Sequence, residues 1–186
     1  MPAIFTPSAN LAAAVTLLAI ATIGLGAVAW WWAWPRTDYA RHVRWPLSQP
    51  VPFSHQHHVA GLGLDCRFCH ATVEVSANAG LPPTSTCMTC HSQVWTNAAA
   101  LEPVRRSLAN NTPIAWHRVT DLPDYVYFNH SIHIAKGVGC PSCHGEIERM
   151  PLTYKAKSLT MQFCLDCHRA YRGANRRLTD CSICHR

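Results

Sequence analysis

The stretch Phe128-Asn129-His130-Ser131-Ile132-His133-Ile134-Ala135-Lys136-Gly137-Val138-Gly139-Cys140-Pro141-Ser142-Cys143-His144 decides how this chain must be read. Its last five residues form Cys-x-x-Cys-His, the spacing of c-type haem attachment. Two thiols close thioether bonds to the vinyl groups of one porphyrin, and the adjacent histidine reaches back to the iron as proximal ligand. The motif recurs at Cys66-Arg67-Phe68-Cys69-His70, Cys87-Met88-Thr89-Cys90-His91, Cys164-Leu165-Asp166-Cys167-His168 and Cys181-Ser182-Ile183-Cys184-His185, and the five copies use all 10 cysteines. Five covalently bound haem c groups are expected, with His70, His91, His144, His168 and His185 as proximal ligands.

Cys-x-x-Cys pairs also build zinc sites, and paired cysteines staple secreted domains. Neither chemistry places a demand on the residue directly after the second cysteine, and here that residue is histidine every time. No thiol is left over for a disulfide.

Working outward from the opening stretch, Phe128-Asn129-His130-Ser131-Ile132-His133 stands six residues before Cys140, and Phe53-Ser54-His55-Gln56-His57-His58 stands seven residues before Cys66. Both read Phe-x-His-x-x-His, gap, Cys-x-x-Cys-His, which marks an internal duplication. Histidines three apart sit on neighbouring positions of a helical turn, close enough to share an element and splayed enough to serve two irons. His55, His58, His130 and His133 are therefore read as four distal ligands.

Of 12 histidines, five are proximal, and seven remain for five sixth positions: His42, His55, His57, His58, His117, His130 and His133. The fifth distal ligand is open among His117, which is favoured, Met161, His42, His57 and an unfilled position. The bland alternative for His57 is a solvated side chain, for His42 an interfacial one, and for Met88, Met150 and Met161 packing against a porphyrin face.

The N-terminal region has a different chemistry. From Pro2 to Pro35 there is no charged side chain, and Leu11 to Trp34 is apolar apart from two threonines. As a helix that stretch is about 36 Å long, enough to cross the hydrocarbon core of a bilayer. Trp30, Trp31, Trp32 and Trp34 crowd one end, as indoles do at the lipid–water boundary. The alternatives are a buried core helix and a cleaved signal peptide; Ala27-Val28-Ala29 resembles a cleavage site, but the n-region carries no Lys or Arg.

Orientation sets two rules against each other. Arg36, Arg41 and Arg44 flank only the C-terminal end of the helix, which by the positive-inside rule would keep the large domain in the cytoplasm. Covalent haem attachment is made on the outer face of the bacterial cytoplasmic membrane, and long domains translocate largely regardless of charge. The haem domain is therefore expected on the periplasmic side of a single-pass inner-membrane protein.

About 150 residues follow the anchor, roughly 30 per haem, too few to wrap each porphyrin in a polypeptide core of its own. The expected fold is a multihaem cytochrome c: one N-terminal transmembrane helix over residues 1–35, then a mostly irregular domain over 36–186 with short α-helices packed around five haems, in halves near 36–110 and 111–186. A formal charge of +6 looks basic. Each ferric haem adds about one negative charge through its propionates, leaving the holoprotein near neutral, so nucleic acid is not an indicated partner.

Six-coordinate iron with imidazole on both sides has nowhere to bind substrate, so such haems relay electrons and no catalytic residue is expected here. Pentahaem nitrite reductases do keep an open iron, but they are much longer and usually replace one motif histidine with lysine, which none of these five motifs does.

Residues outside the attachment motifs carry a resemblance. Gln49-Pro50-Val51-Pro52-Phe53-Ser54-His55, Leu62 to His70, Leu122-Pro123-Asp124-Tyr125-Val126-Tyr127-Phe128-Asn129-His130-Ser131-Ile132-His133, Gly137-Val138-Gly139-Cys140 and Leu159-Thr160-Met161 before Cys164 together resemble the pentahaem subunit of alternative complex III. The resemblance covers nearly the whole chain. It implies a hetero-oligomeric membrane complex, with iron–sulfur and polytopic quinone-binding subunits, that oxidises quinol and reduces a periplasmic cytochrome c or copper protein. Family members often carry a histidine where this chain has Thr120; His117 lies one helical turn earlier. Resemblance to class III multihaem cytochromes implies that the first histidine of each unit serves the haem attached just downstream, pairing His55 with His70 and His130 with His144, while His58 and His133 serve irons attached elsewhere. The rival readings are a stand-alone membrane quinol dehydrogenase of the small tetrahaem type and a pentahaem reductase domain on an anchor.

Overall fold

The computed structural model describes residues 6–185; the ends of the expected anchor and haem domain, residues 1–5 and Arg186, lie outside them. The chain divides into two compact units, one ending at His42 and one beginning at Val43.

The first unit is dominated by one helix, α1 (Pro7–Ala33). Thr6 caps its start, the hydroxyl accepting from the amide of Ala9 at 3.3 Å, and Pro7 supplies a φ already suited to the first helical position. Pro35 follows its end. The helix is apolar on every face and none of its residues is buried, and Pro7–Arg36 is long and apolar enough to cross a membrane. At the far end Trp30 stacks on Trp34 with centroids 5.1 Å apart, and the Arg36 guanidinium lies 4.1 Å above the Trp32 ring while donating to the Trp32 carbonyl. A cation folded onto indole keeps its charge at the polar edge of an apolar helix.

The second unit strings short helices along irregular chain: α2 (Cys66–Cys69), α3 (Thr84–His91), α4 (Glu102–Ala109), α5 (His130–Ala135), α6 (Pro141–His144), α7 (Met161–Ala170) and α8 (Cys181–Cys184). A π-helical turn spans Gln56–Gly61. Among the described residues the only β pairing is two isolated bridges, Val43 with Lys155 and Pro46 with Tyr154.

Its apolar interior is thin. Val43, Val51, Val73, Leu101, Val104 and Met150 are the buried apolar side chains among the described residues. Val51, Leu101 and Val104 form the one cluster, with Cys87, Met88, Ile114 and Trp116 packed against it. Here α4 lies on α3, and the buried Ser107 hydroxyl joins Thr84 Oγ1 and the Thr112 carbonyl, each at 2.6 Å. So small a core cannot offset the conformational entropy of a chain of this length, and the apolar contacts it lacks are those that bound porphyrins would supply.

Candidate haem-binding sites

Each Cys-x-x-Cys pair sits on one helical turn, where a spacing of three puts both thiols on the same face. Asp65 caps α2 by accepting from the Arg67 amide at 2.8 Å, and Thr160 caps α7 by accepting from Phe163. Cys87 and Cys90 lie on α3, Cys140 immediately precedes α6, which carries Cys143, Cys164 and Cys167 lie on α7, and Cys181 and Cys184 bound α8. All ten cysteines are free thiols at partly buried or exposed positions. Burial pushes the thiols of Cys66, Cys69, Cys87, Cys143 and Cys164 up, away from the thiolate that zinc requires. Nor, among the described residues, do three or more His, Cys, Asp or Glu side chains cluster as an ion's ligands.

The histidines are arranged in pairs instead. The ring centroids of His130 and His144 are 6.3 Å apart with planes 8° from parallel. His133 and His168 are 6.1 Å apart at 19°, and His58 and His91 are 6.2 Å apart at 67°. Two metal–imidazole bonds of about 2 Å each, plus half a ring width from each nitrogen to its ring centre, sum to about 6 Å, so each pair fits one iron between two facing imidazoles.

The two His-x-x-His units share their internal geometry. Phe53 meets His55 edge-on at 4.9 Å and 88° and stacks on His58 at 4.4 Å and 25°. Phe128 meets His130 at 4.8 Å and 89° and stacks on His133 at 4.4 Å and 29°. The repeated phenylalanine is thus the wedge that sets the splay between the two histidines.

Backbone carbonyls hold the rings. Nδ1 of His70 lies 2.7 Å from the Gly80 carbonyl, that of His91 3.1 Å from Val94, that of His168 2.9 Å from Leu178 and that of His185 3.1 Å from Tyr125. Among the distal candidates, His58 is held by Ser54 at 2.9 Å, His130 by Ala77 at 2.7 Å, His133 by Asn129 at 2.7 Å and His117 by Ser48 at 2.6 Å. A carbonyl only accepts, so Nδ1 carries the hydrogen and Nε2 keeps the lone pair that an iron needs. His55 differs: its Nδ1 meets the Thr153 hydroxyl at 3.0 Å.

His55 is partly buried, and its pKa is pushed down to about 4, first by burial and then by the imidazoles of His70, His58 and His144. Burial, with His130 and His70 nearby, lowers His144 as well. Both are thereby kept neutral, the state in which imidazole binds metal.

The fifth sixth-position is not assembled in the same way. His117 is exposed and clamped to the segment before Val51, its amide donating to Gln49 Oε1 at 2.9 Å and its carbonyl accepting from Gln49 Nε2 at 2.8 Å. The ring stacked beside His185 is Tyr125, at 5.9 Å and 28°. His57 is exposed and Met161 stands exposed at the start of α7. The Thr153 hydroxyl and the carbonyls of Gly80, Leu178 and Tyr125 have no counterpart in the sequence reading. A carbonyl belongs to every residue, so only the fold selects it.

The family model of cytochrome c7 and related cytochrome c matches residues 126–186, which hold three of the attachment motifs. Over 179 residues the chain is 28% identical to the menaquinone reductase multihaem cytochrome c subunit of Nitratidesulfovibrio vulgaris, with 84% of this chain and 83% of that protein covered. The chain is multihaem cytochrome c-like, helical and irregular, with one N-terminal apolar helix that could anchor it in a membrane.

Proposed function

We propose that this chain is a membrane-anchored pentahaem cytochrome that relays electrons within a quinone-linked complex. The observation that carries the reading is the set of three imidazole pairs at 6.1 to 6.3 Å, each joining a motif histidine to a member of a His-x-x-His unit. A haem held between two imidazoles takes up and gives back one electron at iron and offers no position to a substrate. The chain's own work is to tether and aim: ten cysteines attach the porphyrins, His70, His91, His144, His168 and His185 serve as proximal ligands, and His55, His58, His130, His133 and His117 as distal ones. Carbonyls on Nδ1 fix the tautomer of most of these rings.

The resemblance to the alternative complex III subunit supports quinol oxidation, with iron–sulfur and polytopic quinone-binding subunits as partners and a periplasmic cytochrome c or copper protein as acceptor. The 28% identical relative, named for menaquinone reduction, favours a second reading in which the same relay runs toward the quinone. In both, α1 anchors the chain in the bacterial cytoplasmic membrane with the haem domain on the periplasmic side. A stand-alone quinol dehydrogenase would need a quinol site within this chain.

Purification of the chain from native membranes, followed by addition of quinol, separates these readings. Copurifying polytopic subunits and haem reduction by quinol are expected for quinol oxidation. Haems oxidised by added menaquinone but not reduced by quinol reverse the direction. A chain that purifies alone and still oxidises quinol overturns the subunit reading.

A further inference from the structure

The order in which the sites touch differs from their order in the sequence. The first and second sites are joined by one segment, because His55 and His58 share Phe53, with His58 facing His91 of the second motif. The first and third sites are joined by His130, whose amide and Nδ1 both bond to the Ala77 carbonyl just beyond the first motif. The third and fourth sites share α5, with His130 facing His144 and His133 facing His168. The fourth and fifth sites are joined by the Leu178 carbonyl on His168, just before α8.

Those four links connect every site. Those links give the second and fifth sites one neighbour each and the first, third and fourth sites two each. The two His-x-x-His units abut through the sites of their first histidines, with the fifth site added at one end. From this arrangement we infer that the five haem sites form one unbranched row in the order second, first, third, fourth, fifth, whose ends are the sites of Cys87 and Cys90 and of Cys181 and Cys184. This rests on the five-haem reading above. Its consequence is that the chain has two electron ports, and that the first motif lies inside the relay although it comes first in sequence. Electrons pass between the ports through the first, third and fourth sites in turn.

Crystals of the detergent-solubilised full chain with its haems, measured at the iron absorption edge, locate each iron, and polypeptide density assigns it to a motif. The second motif's iron is expected to have the first motif's as its single near neighbour, and the fifth motif's to have the fourth's. Five irons in any other neighbour order overturn the row while leaving the five-haem reading intact. Fewer than five irons remove that reading and the row with it.

Redox titration of the same holoprotein gives an independent readout. A methionine ligand raises the potential of its own haem, and the early charge change then shifts the midpoints of adjacent haems. His58→Met alters an end site and should shift one further component; His133→Met alters an interior site and should shift two. Equal numbers of shifted components in the two variants overturn the row.

Discussion

His133 and His168 face each other ring to ring at 6.1 Å, although one lies on α5 and the other ends the fourth attachment motif. The nearest motif to His133 in sequence is the third, yet that motif's His144 is paired with His130. Each unit thus aims two histidines from one short element at the histidines of two different motifs. Replacing His133 by Ala should turn one haem high-spin, that of the fourth motif, and His58→Ala should do the same to that of the second. Absorbance and magnetic resonance of the holoprotein read the change; a fully low-spin spectrum in either variant removes that histidine from the ligand set.

Five attachment motifs should give five thioether-linked haems. Intact-mass spectrometry of the purified chain is expected to show five haem additions, and Cys181→Ser with Cys184→Ser should leave four. Because the apolar interior among the described residues is limited to six buried side chains, removal of an interior haem should cost far more stability than removal of an end one. The paired variant Cys140→Ser and Cys143→Ser is therefore expected to yield little folded protein.

Much of this arrangement could be read from residue types, and the part that could not has a physical reason. Covalent attachment demands fixed spacing, so the motifs and the repeated Phe-x-His-x-x-His units stand out in the sequence. Pairing across motifs depends on where irregular chain folds back, and spacing says nothing of that. The carbonyls that orient the rings leave no mark either, since Gly80, Leu178 and Val94 share no side-chain chemistry. His117 shows both limits: its Nδ1 is held at 2.6 Å as a ligand's would be, while the ring beside His185 is a tyrosine. The segment from Ser92 to Tyr127 holds no attachment motif and so carries no such mark, yet α4 within it supplies Val104 and Ser107 to the interior.

Gly145 directly follows His144 and has φ +71°, and a Cβ there would come within 2.6 Å of the Ala156 Cβ. Both the left-handed backbone and the contact oppose a side chain, and the Ala156 Cβ is fixed to its backbone and cannot swing away. Gly145→Ala should cost about 1–3 kcal/mol. The expected readout is a melting temperature lower by several degrees with five haems still attached; an unchanged melting temperature would show that this turn relaxes freely.

The residues of α1 are apolar on every face and exposed, as in a helix that lipid would cover. The full chain should resist carbonate extraction from membranes. Ile20→Arg, near the middle of the helix, adds a charge costing about 2.5–3.5 kcal/mol at the bilayer centre and should move part of the protein to the wash. Release of the unmodified chain by carbonate would show that α1 is no membrane anchor.

The planes of the imidazole pairs make the last prediction. His130 with His144 and His133 with His168 are within 8° and 19° of parallel, whereas His58 and His91 are turned by 67°. Parallel imidazoles donate into the same iron d orbital and split the pair of orbitals that holds the unpaired electron; crossed imidazoles leave that pair nearly degenerate. A near-degenerate pair retains orbital angular momentum and gives a strongly anisotropic low-spin signal. Electron paramagnetic resonance of the oxidised holoprotein should therefore show ordinary rhombic signals from the third and fourth sites and one highly anisotropic signal from the second. His58→Ala should abolish that anisotropic signal and leave the rhombic pair in place, while His133→Ala should remove one rhombic signal and spare the anisotropic one. If His58→Ala instead removed a rhombic signal, the crossed pair would not be the ligand set of the second site.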